Sequence, residues 1–207
     1  MCWRPIIRTG PSSRAPSPPA GRFVGPRLAA LLDATAGDRI RVLDVAAGHG
    51  LYGIAIAARN PQAEVVALDW PSVLAVAREH ADGAGVSERY RTIAGNVFAE
   101  ELGGPYDLVL LTNFLPDFDA AMCARLLVKV YVAVAPGGRA AALQYVVDDG
   151  RVSKSASYLS LGLLATTPGG DNYTASELEG MFRTAGFART ELHELPPQRV
   201  MIAYRSS

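Results

Sequence analysis

From Pro26 onward the hydrophobic positions alternate between short apolar runs and helical spacing. PRLAALLDATAG places Leu28, Leu31 and Leu32 on one face of a short helix, and RIRVLDVA (39–46) is an apolar run suited to a buried strand. LYGIAIAARN then carries Leu51, Ile54, Ala55 and Ala58 at i, i+3, i+4 and i+7, a helix stopped by Asn60-Pro61. AEVVALD (63–69) reads as a second strand, and PSVLAVAREHA as a second amphipathic helix with Pro71 in its first turn. YRTIAG (90–95) and YDLVLLTNF (106–114) are the third and fourth strands. AAMCARLLVKVYVAVA (120–135) is a long helix ended by Pro136-Gly137-Gly138, and RAAALQYVV (139–147) a fifth strand.

Strands alternating with helices at this spacing predict crossover units and a parallel sheet covered on both faces. The tail departs from that rhythm. Thr174-Ala175-Ser176-Glu177 is a capping box that opens a helix ending at Gly186. FARTELHEL and QRVMIAYR follow, separated only by Pro196-Pro197, and so short a joint requires an antiparallel pair. The expected fold is α/β and Rossmann-like. It has a seven-stranded, mostly parallel sheet with a C-terminal antiparallel hairpin and helices on both faces, the layout of class I methyltransferases.

Composition narrows the function classes. The 207 residues include 49% hydrophobic side chains, enough for one sizeable core, and 20 basic residues balance 20 acidic ones. That balance speaks against a nucleic-acid or membrane-surface partner held by bulk charge. No apolar run reaches the roughly 18–20 residues of a membrane span. Residues 1–25 carry five prolines among Ser, Gly and Arg without periodicity and read as disordered, leaving 26–207 as the domain. Two cysteines, Cys2 and Cys123, give neither a disulfide framework nor a metal spacing, which suits a reducing cytoplasmic setting with no metal site.

The chemistry concentrates in LDVAAGHGLYG (43–53), which contains Gly48-x-Gly50-x-x-Gly53 between a strand and a helix. A glycine loop there presents backbone N–H groups and a helix N-terminus to a cofactor. Asp69 lies nineteen residues beyond Gly50, at the carboxyl end of the second strand, where a carboxylate accepts hydrogen bonds from ribose hydroxyls. It can also serve as an N-cap for the helix that follows. A dinucleotide and S-adenosylmethionine both offer such a ribose. Asp44, four residues before Gly48, suits a ligand carrying an ammonium group and repels a pyrophosphate. With the tail hairpin and the lack of a separate substrate domain, it favours S-adenosylmethionine over a nicotinamide cofactor.

Six segments, VLDVAAGHG, ALDWPSVL, AGNVF, YDLVLLTNFLPDFD, PGG and ATTPGGDNYTASELEGMFRTAGF, occur in an order and spacing that resemble a known family. It is the catalytic domain of the small-molecule O-methyltransferases, which include caffeate, acetylserotonin and bacterial polyketide O-methyltransferases. The resemblance covers roughly residues 24–205. It implies an S-adenosylmethionine-dependent enzyme that releases S-adenosylhomocysteine and acts on an apolar or aromatic small molecule. The loop from Ala46 through Gly48 to Gly50 would wrap the methionine portion, Asp69 would take the ribose, and Trp70, Asn96, Val97 and Phe98 would lie along the adenine. Thr112 and Asn113 would face the methyl-donor side.

Two departures concern catalysis. The histidine that removes the acceptor's proton in the family falls on Pro116, which cannot be a base, and the glutamate that supports it falls on Asn172. Asp117 is the candidate replacement, with a helix-start carboxylate as its plainer reading and Asp119 as the better cap. His49 is expected to point away from the cofactor, His80 to pack on its helix, and His193 to lie on a surface strand. Tyr158–Leu164 reads as a helix walling the acceptor pocket. The resemblance also implies an N-terminal dimerisation domain for which this chain has only its short tail, hence a homodimer or a separate partner domain. Two alternatives remain: a cofactor-binding remnant with impaired turnover, and a nicotinamide-dependent oxidoreductase.

Overall fold

The computed structural model describes residues 18–33, 37–150, 162–163 and 165–207. Seven strands form one sheet in the order β3-β2-β1-β4-β5-β7-β6. They are β1 (Arg41–Val45), β2 (Glu64–Asp69), β3 (Tyr90–Ala94), β4 (Tyr106–Thr112), β5 (Val134–Gln144), β6 (Arg189–Leu195) and β7 (Gln198–Tyr204). The first five run parallel. β7 inserts antiparallel between β5 and β6, pairing Leu143 with Val200 on one side and His193 with Val200 on the other. The expected sheet, hairpin included, is the observed one.

Helices α1 (Pro18–Leu31), α2 (Leu51–Arg59) and α3 (Pro71–Gly83) cover one face of the sheet, and α4 (Ala120–Ala133) and α5 (Ala175–Thr184) the other. Covered on both faces, β1 and β4 bury nearly every side chain, which is why they read as continuous apolar runs. Asp119 caps α4 by accepting from Met122 N–H at 2.8 Å. The Thr174–Glu177 capping box opens α5 as expected. No helix among the described residues is long and apolar enough to cross a membrane.

Two boundaries differ from expectation. The fourth helix ends at Ala133, and β5 starts at Val134, ahead of the Pro-Gly-Gly turn. Val134 pairs with Tyr106 before the register shifts, and Arg139 then resumes the pairing opposite Leu108. Pro136–Gly138 is thus an excursion within a strand, with Gly137 at φ 75°.

The larger correction concerns residues 18–25. They were expected to be irregular, but α1 begins at Pro18, eight residues before the predicted start; residues 1–17 lie outside the described part. The cause is Gly21-x-x-x-Gly25. A Cβ on Gly25 would stand 3.2 Å from Leu51 O and 3.3 Å from Ala55 Cβ, so the bare glycines let α1 lie directly on α2. Val24, Leu28 and Leu32 complete the buried stripe. Gly25→Leu is expected to lower stability by about 1–3 kcal/mol, the usual cost of overpacking, read as a reduced thermal midpoint. An unchanged midpoint would mean that α1 does not dock.

Candidate functional site

Strand order reverses between β1 and β4, and ligands of open α/β sheets bind at the carboxyl ends flanking such a switch point. The glycine loop leaves β1 at this point. Ala46, Gly48 and Gly50 all take positive φ (51°, 59° and 76°), and Gly50 is the N-cap of α2. Asp69 fastens the loop. Its Oδ2 accepts the N–H of Gly48 at 2.8 Å, and its Oδ1 accepts the N–H of Trp70 at 2.7 Å. The N-cap position of α3 belongs to Trp70 instead.

The third glycine serves packing. A Cβ on Gly53 would lie 2.8 Å from Val65 Cγ1 and 3.0 Å from Asp44 Oδ2. Asp44 is fully buried, and its Oδ2 accepts the N–H of Gly53 at 3.1 Å, in the first turn of α2. Sequence reasoning offered this carboxylate to an ammonium group; in the fold its Oδ2 also holds the start of α2. The loop, its tied carboxylate and the N-terminal end of α2 together fit the ribose and amino-acid portions of S-adenosylmethionine.

Tyr90 and His80 support the loop from below, a role their sequence positions did not reveal. His80 Nδ1 lies 2.8 Å from the carbonyl of His49, tying α3 to the loop. The Tyr90 hydroxyl is buried against Gly50 and has no hydrogen-bond partner among the described residues. Burial, with the Asp44 and Asp69 carboxylates nearby, holds it protonated far above the ordinary tyrosine range. A buried unpaired hydroxyl costs about 1–3 kcal/mol. Tyr90→Phe is therefore expected to raise the thermal midpoint by a few degrees. A fall would show that the hydroxyl bonds in solution.

Beyond Asp69, Trp70 is 38% exposed at the edge of the site. Asn96, Val97 and Phe98 follow β3 in a tight turn, in which Asn96 Oδ1 accepts the N–H of Phe98 at 3.0 Å. Gly95 N–H donates to the backbone carbonyl of Asp69 at 3.0 Å, so this turn leaves β3 beside the end of β2. Lys129 holds it from α4, its Nζ donating to the carbonyls of Val97, at 2.7 Å, and Glu100. The signal for Lys129 was a single cation within the apolar stretch LLVKVYVAV.

On the other side of the switch point, Thr112 is buried at the end of β4 and Asn113 turns the chain at φ 53°. Asn113 joins Pro116, Asp117, Tyr145, Leu163 and Asn172 around a cavity of about 330 Å³. The structure thus brings the candidate base, the two departed family positions and Asn113 to one cavity. Phe98, Phe118 and Phe114 stack edge to face, with centroids 5.1 and 4.8 Å apart, linking the turn after β3 to the cavity wall. Tyr173 donates to the carbonyl of Phe118, and Cys123 Sγ lies 3.2 Å from the carbonyl of Leu115. Burial pushes the Cys123 thiol up to about 11, which makes it an inert brace. His193 pairs with Glu191 on β6 at 3.3 Å. Of the predicted pocket helix Tyr158–Leu164, Gly162 and Leu163 are helical, and the rest lies outside the described residues.

Comparison with known proteins agrees with this geometry. Residues 29–188 match the O-methyltransferase domain family. The 3-hydroxy-5-methyl-1-naphthoate 3-O-methyltransferase of Streptomyces sahachiroi is 33% identical over 147 residues, covering 70% of this chain and 42% of that protein. Acetylserotonin O-methyltransferase of Mus musculus is 32% identical over 170 residues, covering 79% and 43%. The chain thus spans less than half the length of these curated relatives. A crystal structure of a protein from Nostoc punctiforme assigned as an O-methyltransferase superposes with a TM-score of 0.86 at 44% identity, covering 91% of this chain and 57% of that one. An O-methyltransferase family 2 protein from Planctomyces limnophilus, solved with apigenin, gives 0.84 at 26% identity over 94% and 62%.

Proposed function

The chain belongs to the O-methyltransferase domain family, and we propose that it transfers a methyl group from S-adenosylmethionine to a hydroxyl of a small apolar or aromatic molecule. The observation that carries this reading is the Asp69 carboxylate locked to Gly48 N–H at the switch point, with a cavity lined by Asn113 after β4, on the other side of that switch point. Bound there, S-adenosylmethionine supplies a methyl group already attached to its leaving group.

The chain's residues divide the remaining work. Ala46, Gly48 and Gly50 shape a backbone cradle for the amino-acid portion, Asp69 accepts from the ribose, and Trp70 with Asn96, Val97 and Phe98 flanks the adenine. Thr112 and Asn113 stand between that site and the cavity. Asp117 is the carboxylate in the cavity wall that would take the acceptor's proton, through water or directly. Holding the reactants in contact supplies on the order of 7–11 kcal/mol by itself. A weak base therefore suffices for an acidic hydroxyl. The apolar acceptor is supported by Tyr145 and Leu163 in the cavity wall and by the naphthoate and apigenin named for two relatives. We place the enzyme in the cytoplasm, where a buried reduced thiol such as Cys123 persists.

A second reading has its own observation. Pro116 lines the cavity where the family carries its histidine, which favours a nucleotide-binding remnant without turnover. Calorimetric titration of the purified chain with S-adenosylhomocysteine, with NADH in parallel, tests the shared premise. Micromolar binding of the first alone supports the S-adenosylmethionine site that both readings share. Binding of NADH instead would sink them.

A further inference from the structure

We propose that Asn113 receives the acceptor's oxygen through its side-chain N–H2 group, and that Gln198 is the positioning residue that turns the amide that way. This rests on the methyl-transfer reading above and assigns the residues by which the site tells a hydroxyl from an amine.

Asn113 has little freedom. Its backbone is left-handed at φ 53°, and its N–H is held by the carbonyl of Leu143 at 2.7 Å. Gln198, eighty-five residues away, is the first residue of β7, delivered to this edge by the Pro196-Pro197 turn. It is buried at 6% exposure, and its Nε2 donates to Asn113 Oδ1. An amide has one accepting end and one donating end. With the oxygen engaged by Gln198, the end of Asn113 that remains for the cavity is its N–H2.

Lone-pair counting then decides the ligand. Asp117 also lines the cavity and accepts hydrogen bonds, and both an O–H and an N–H can donate to it. A hydroxyl oxygen that donates to Asp117 still holds two lone pairs. One accepts from Asn113, and the other remains for the methyl carbon. A neutral amine nitrogen has only one lone pair, so a donor aimed at it blocks the atom that must react. The phenol is the stronger donor to Asp117 whatever residue stands at 198, so the contribution of Asn113 is read as the change in the ratio between the parent chain and its variants at 198.

The test uses the full chain with S-adenosylhomocysteine bound, and 4-nitrophenol and 4-nitroaniline as matched probes. The pH is set below the ionisation of the phenol and above that of a carboxylate. Competition measured by absorbance gives the phenol-to-aniline ratio of affinities for the parent chain, the reference for both variants. Gln198→Glu can only accept, so Asn113 turns its N–H2 to it and offers Oδ1 to the cavity, and the ratio is expected to fall by about tenfold, the factor supplied by one net hydrogen bond. Gln198→Met leaves the amide unfixed, and the ratio falls to an intermediate value. Both variants are expected to keep their affinity for S-adenosylhomocysteine. Equal binding of the two probes by the parent chain overturns the proposal, as does a ratio unmoved by either substitution. Loss of S-adenosylhomocysteine binding in both variants would make Gln198 a structural strut and overturn its positioning role. Failure of the parent chain to bind S-adenosylhomocysteine would instead overturn the methyl-transfer reading on which this rests.

Discussion

Asp69→Ala is expected to abolish measurable binding of S-adenosylhomocysteine while leaving a folded protein. The carboxylate does two jobs at once. It accepts the N–H groups of Gly48 and Trp70 at 2.8 and 2.7 Å, fixing the glycine loop and the start of α3 relative to each other. In the proposed reading it also accepts from the ribose. Hydrogen bonds to a charged group contribute about 1.5–3 kcal/mol each. Losing the ribose contacts and the loop tie together costs at least about 3–4 kcal/mol of affinity, or two to three decades. A micromolar ligand thereby falls out of calorimetric range. Asp69→Asn keeps one accepting oxygen and is expected to land between the two. The thermal midpoint, measured alongside, separates a lost ligand contact from a lost fold. An alanine variant that binds as well as the parent would mean that the loop is a turn and nothing more.

That carboxylate was legible because two local signals converge on it: a glycine loop after one strand and an acid at the end of the next. The sheet was legible for a similar reason, since strands covered on both faces must be apolar throughout and helices between them must be amphipathic. What escaped were contacts between distant segments. Nothing local to Gln198 announces that a proline turn carries it to Asn113. Lys129 reads as an oddity in an apolar helix until the turn after β3 is packed against it. The start of α1 was missed because Gly21 and Gly25, beside several prolines, read as breakers. In the fold the same glycines are the contact surface against Leu51 and Ala55. Propensity described the segment alone, and packing overrode it. At the cavity, the sequence showed what was missing at 116 and 172, but not that both positions share one cavity with Asn113 and Asp117.

That shared cavity makes Pro116→His the most informative gain-of-function test. Residue 116 lies in a short helical turn, Leu115–Asp117, braced by Cys123 at the carbonyl of Leu115 and by Tyr173 at the carbonyl of Phe118. The turn is therefore held by its neighbours rather than by the proline ring. Replacing proline costs only the extra freedom of the unfolded chain, about 0.4–1 kcal/mol. An imidazole at this position joins a cavity wall that Asn172 also lines, and an Asn side-chain oxygen can accept from the ring's second nitrogen. A positioned general base contributes roughly 10²–10⁴-fold. The gain is expected to depend on the acceptor: large for 1-naphthol, which must lose its proton during transfer, and small for 4-nitrophenol, which is acidic enough to do without help. The variant's rate with 1-naphthol is also expected to rise with pH through about 6.5, as an ordinary imidazole loses its proton, a limb the parent lacks. Labelled S-adenosylmethionine gives the readout for both acceptors. Silence with both, in a variant that still binds S-adenosylhomocysteine, would favour the remnant. Equal gains with both would mean that the histidine acts through packing rather than as a base. A gain confined to the weakly acidic phenol would show that proton removal is what the natural chain leaves to Asp117 and to the acidity of its own acceptor.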